Sequence, residues 1–82
     1  MTNGNQVNDE RPDWGPLKTH LSPSECEDFM WMYRQGTLHF YKHVITRRYI
    51  LLESDGRCFS GKADGLRMID FEQEYLRVIG QA

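Results

Sequence analysis

Residues 37–60 read TLHFYKHVITRRYILLESDGRCFS, and this stretch decides the fold. Within 37–44 the even positions are Leu38, Phe40, Lys42 and Val44, and the odd ones are Thr37, His39, Tyr41 and His43. Period-two alternation of this kind predicts a half-buried strand. A short connection at 45–47 leads into Tyr49, Ile50, Leu51 and Leu52, a continuous apolar run expected of a strand covered on both faces. Asp55-Gly56 is a hairpin signal, because tight hairpin turns need positive φ. A short strand at 57–60 should return from it.

Upstream, Ser22-Pro23-Ser24-Glu25 combines a capping hydroxyl, a proline suited to the first helical position and a glutamate three residues after the cap. A helical turn is therefore expected near 23–27. Two continuations compete. A helix as far as Gly36 would align Cys26, Phe29, Met30 and Tyr33 but leave Trp31 and Met32 off its apolar stripe. A strand over 28–34 sets Phe29, Trp31 and Tyr33 on one face, and Gln35-Gly36 turns the chain straight into the next strand. The strand is the reading adopted. Downstream, residues 61–65 read as a loop. Asp70 and Gln73 open a helix in which Phe71, Tyr75, Val78 and Ile79 form the stripe and Gly80 ends it. A helix of that length does not persist alone in water, so it must pack on the sheet.

The expected fold is thus α+β: a small antiparallel meander of three to four strands with a C-terminal helix on one face. Residues 1–16 are expected to be a flexible tail and 17–82 a single domain. Leu38, Phe40 and Val44, with Ile50 and Leu52, are expected to face the helix, leaving His39, Tyr41 and His43 exposed. At 82 residues the chain holds one domain with a small core.

Net charge is −2, unevenly spread. Residues 34–62 carry six cations against Glu53 and Asp55, while the segments on either side are net acidic. Cys26 and Cys58 have no CxxC or metal spacing and read as buried free thiols. No signal peptide or membrane span is evident, so a cytoplasmic protein without membrane contact is expected.

Chemistry-bearing patterns are few. On a strand His39 and His43 stand roughly 13 Å apart, too far to share a metal ion. Residues 56–63, GRCFSGKA, approach the phosphate-loop pattern but lack its final hydroxyl, and Gly56 belongs to the hairpin. Neither a cofactor, a metal site nor a catalytic set is expected. The cluster of His39, Tyr41, His43, Arg47 and Tyr49, with Trp14 upstream, is the candidate binding surface. Such residues often do no more than form a solvated sheet face, with Trp14 latching onto the domain edge. Functionally, the cluster suits a non-enzymatic module that binds protein or a second copy of itself. Single-stranded nucleic acid is an alternative, stacking on tyrosine and histidine. A small ribonuclease with paired histidines is the third.

Overall fold

The computed structural model describes residues 11–62 and 65–81. Among the described residues two single-turn helices come first, α1 (Gly15–Lys18) and α2 (Pro23–Cys26). Five strands follow: β1 (Phe29–Gln35), β2 (Leu38–His43), β3 (Tyr49–Glu53), β4 (Cys58–Lys62) and β5 (Gly65–Ile69). Helix α3 (Phe71–Ile79) closes the fold. The strands form one antiparallel meander in chain order, and α3 packs against β3 and β4. The α+β architecture expected from the sequence is the one observed, with one strand more than expected.

The local signals act as capping chemistry requires. In α2 the Ser22 hydroxyl accepts from Glu25 N at 3.3 Å, while the Glu25 carboxylate accepts from Ser22 N at 2.8 Å, a complete capping box. These bonds hold the Glu25 carboxyl below its ordinary range. Asp70 caps α3 by accepting from Gln73 N at 3.1 Å, and Gly80 ends it in the left-handed region at φ 85°. The strand adopted at 28–34 is observed one residue further on, at Phe29–Gln35, with a bulge between Trp31 and Tyr33. Without the bulge Phe29, Trp31 and Tyr33 would share one face. With it, Tyr33 pairs with Phe40 and turns to the other side.

The 54–56 turn has positive φ only at Gly56 (97°). It closes with Gly56 N donating to Glu53 O and Glu53 N to Arg57 O, both at 2.8 Å. This is a three-residue hairpin rather than the two-residue turn that Asp-Gly suggests. The loop expected at 61–65 is in part β-structure, since Gly61 ends in β4 and Gly65 opens β5.

The domain also starts earlier than residue 17. Leu17 is wholly buried, Pro16 is buried, and the Tyr41 hydroxyl donates to Asp13 O at 2.6 Å. The part of the expected tail before residue 11 lies outside the described residues.

The core lies between one face of the sheet and the helices. From the sheet come Phe29, Tyr41, Ile50, Leu52 and Cys58, and from the helical layer Leu17, Leu21, Cys26 and Val78. Phe71, Tyr75 and Ile79 of α3 pack against this cluster, as their spacing predicts. Replacing Asp70 by alanine removes the α3 cap and should cost about 1 kcal/mol. In a domain of this size that is a melting temperature roughly 4–8 °C lower by thermal circular dichroism.

Candidate functional site

The register of β2 against β3 determines which side chains are available to a partner. Tyr41 pairs with Ile50 and His39 with Leu52, so these four residues share a face. Ile50 and Leu52 are wholly buried beneath the helices, and the odd positions of β2 go under with them. His39 is 2% exposed, Tyr41 0% and His43 6%. The face expected to be free is the core face. The reason is parity. The five-residue connection 44–48 opposes each odd residue of β2 to an even residue of β3. Leu38, Phe40 and the apolar pair Ile50 and Leu52 therefore cannot line one side together.

Each buried imidazole has a partner. The Trp31 indole N–H donates to His39 Nδ1 at 3.1 Å, and His39 Nε2 lies 3.4 Å from the Ser54 hydroxyl and 4.0 Å from an Asp13 carboxylate oxygen. Asp13, His39 and Ser54 resemble a hydrolytic triad by residue type only. With Nδ1 accepting from Trp31, Nε2 carries the ring proton and cannot take one from Ser54. His43 Nδ1 accepts from Thr46 N at 3.1 Å, inside the 44–48 connection. His20 stacks on Phe71 at 3.9 Å, its Nε2 2.8 Å from Gly56 O. All three histidines join elements of the fold, and the pair on β2 is buried.

Of the other candidate residues, Trp14 is partly buried, tilted against Tyr41 at 5.6 Å, as a latch would be. It also lines a shallow hollow of about 280 Å³ with Lys18, Cys26 and Phe29. Arg47 is exposed in the connection at φ 67°, a left-handed conformation unusual for a side-chain-bearing residue. Tyr49 is half-buried on the opposite face from His39 and His43, with the Lys42 ammonium 5.7 Å from its ring. The six residues therefore do not form one surface.

The face away from the helices carries what the sequence reading missed. Tyr33 pairs with Phe40, Phe40 with Leu51, Leu51 with Phe59, and Phe59 with Met68. One apolar row thus crosses all five strands. Leu51 at its centre is shielded by its neighbours, while Tyr33 is 41% and Met68 60% exposed. Leu66 on the same face is 54% exposed. Beyond Leu51 and Phe59 the ladder between β3 and β4 stops. A hollow of about 440 Å³ opens there, lined by Tyr33, Phe40, Tyr49, Leu51 and Leu66 with Arg48, Glu74 and Arg77. Glu74 is almost fully buried, and the Arg77 guanidinium holds it with two bonds of 3.0 and 2.9 Å.

Two rings on this face are stacked. The Tyr33 and Phe40 centroids are 4.5 Å apart at 14°. That separation is close to the spacing of about 4.8 Å between strands. Tyr33 and Phe40 therefore each cover one flat side of the other. Phe59 has the Arg57 guanidinium over its ring at 5.7 Å.

One signal for β5 was present in the sequence: Leu66, Met68 alternating with Arg67, Ile69, between Gly65 and the Asp70 cap. The mixed character of Arg67 and the exposure of Leu66 and Met68 hide it, because neither side reads as core. Searches of protein-family models, curated proteins and solved structures find no match to this chain.

Burial pushes the Cys58 thiol up to about 12, aided by Glu74 and Asp70, and pushes the Tyr41 phenol well above its ordinary value. In the unfolded chain a thiol ionises near about pH 8.5 and a phenol near about 10. The folded state therefore retains protons that the unfolded state loses. Stability should be full below about pH 8.5 and fall as pH rises toward 12. Urea midpoints measured across this range should decline, and less steeply in Cys58→Ala; an unchanged slope would refute the assignment. Tyr41→Phe should cost about 1 kcal/mol and expose residues 11–14 to limited proteolysis.

Proposed function

We propose that this chain is a non-enzymatic protein-interaction module that binds through the sheet face not covered by its helices. The observation that carries the reading is the row Tyr33–Phe40–Leu51–Phe59–Met68. A sheet face turned to water normally bears polar side chains, and contiguous exposed apolar surface marks an interaction site. Aromatic and methionine side chains are also those enriched at protein interfaces.

Ring geometry favours protein over single-stranded nucleic acid. Bases stack on aromatic faces. Here Tyr33 and Phe40 cover each other, Lys42 lies over Tyr49 and Arg57 over Phe59. Exposed Leu66 and Met68 suit the side chains of another protein. The surface differs from the one expected on sequence, but the class of function is the same.

A photo-crosslinking amino acid at position 68 tests the reading, with position 73 on the exposed side of α3 as control. Position 68 should give a discrete protein adduct, the chain itself included, that Leu66→Asp suppresses. Equal adducts from both positions, or none from either, would refute it. Labelled single-stranded oligonucleotides should show no mobility shift even at low salt; a shift that weakens steeply with salt would favour nucleic acid instead.

A further inference from the structure

We infer that β5 takes up an extended segment of a partner protein as a sixth strand, one with an acidic side chain between two apolar ones. The inference rests on the protein-binding reading above and adds how the partner is held. Three observations carry it.

The first is the backbone of the edge. β5 ends the sheet, and its register on β4 runs without a break from Gly65 opposite Lys62 to Ile69 opposite Cys58. Helix α3 packs on β3 and β4, so β5 lies beyond the helical layer, and its residues from Gly65 to Met68 are all exposed. The strand has no proline, lysine or bulge, the features that blunt an edge. Alternate residues of an edge strand turn N–H and C=O outward, where an added strand can continue the ladder. At the other edge, β1 is interrupted by its bulge at Trp31–Tyr33.

The second is the apolar surface beside that edge. Leu66 and Met68 are 54% and 60% exposed. An added strand sets its own side chains about 5 Å from theirs and removes both from water.

The third is charge on the other side of β5, and it selects the occupant. Arg67 alternates to the helix side, where it lines a hollow of about 250 Å³ with Ser60, Ile69, Glu74 and Arg77. Glu74 is already held there by two bonds from Arg77, and no described residue pairs with the Arg67 guanidinium. The hollow therefore keeps one unmatched positive charge at the sheet edge. A glutamate or aspartate directly opposite Arg67 matches it, and the residues on either side of that acid then fall opposite Leu66 and Met68. A second copy paired antiparallel about Arg67 would set this cation against its own counterpart, which disfavours self-addition.

The test titrates the isotope-labelled full chain with the acetylated, amidated peptide Thr-Val-Glu-Val-Thr and follows the amide chemical shifts. Amides of Leu66–Ile69 should move, with half-saturation below about 1 mM, while those of β1 stay in place. N-methylation of both valines and N-methylation of the glutamate remove donors from opposite edges of the extended peptide. One of these peptides should bind at least about ten-fold more weakly, and the other nearly as well as the parent. Arg67→Glu should weaken the parent peptide several-fold, and lysine in place of the peptide's glutamate should restore binding to that variant, shown to be folded by circular dichroism. Still β5 amides, equal losses from the two methylated peptides, or no rescue by lysine would each overturn the proposal. If any of these came with a discrete adduct from position 68, strand addition alone would fall and the interaction reading would stand. Pairing of the chain with itself through Leu66–Ile69, seen as a doubled mass without peptide, would give the edge to a second copy and refute this occupant.

Discussion

Everything in this fold depends on how β2 is registered against β3. Tyr41 sits opposite Ile50 and His39 opposite Leu52, and the connection 44–48 sets that parity. Its geometry is closed by Arg47 N donating to His43 O at 2.9 Å and His43 N to Arg48 O at 2.8 Å, with the His43 ring accepting from Thr46 N. A slip of one residue would exchange the two faces of β2. The helices would then meet Phe40 and Lys42, and the row across the open face would be broken at its second member.

Burial of three polar aromatics in the core follows from that register. A tyrosine and two histidines at the bottom of a small core are costly unless each polar atom is bonded. The chain meets this requirement from several places: Asp13 O for Tyr41, Trp31 and Ser54 for His39, Thr46 N for His43. These bonds are also long-range ties. They hold the segment before α1, the bulged edge strand and two turns to the centre of the sheet. An 82-residue domain gains specificity from such ties, because only one arrangement satisfies them all.

The same register explains the open face. Once the imidazoles and Tyr41 are assigned to the core, the even side chains of β2 have no cover of their own, since α1, α2 and α3 lie together on the other side. The cations there do not form a uniform field. They sit at the margins, over aromatic rings or beside carboxylates, and the centre is apolar.

Local chemistry was legible without the fold. The Ser22–Glu25 capping box, the Asp70 and Gly80 ends of α3, the strands at 28–34 and 37–44 and the hairpin at 54–57 all follow from residue types within a few positions of one another. Three local features escaped: helix α1 at Gly15–Lys18, inside the expected tail, the bulge at Trp31–Tyr33, which no residue there announces, and β5, whose exposed Leu66 and Met68 give no buried stripe. By itself the sequence determined the caps of α2 and α3, the first three strands to within a residue or two, and that an α+β meander results. Which side of β2 becomes core was settled only in three dimensions. Histidine and tyrosine are amphipathic, so period-two alternation cannot tell whether His39, Tyr41 and His43 face water or a bonded interior. Pairing with Ile50 and Leu52, and partners as distant as Asp13 and Ser54, made the choice.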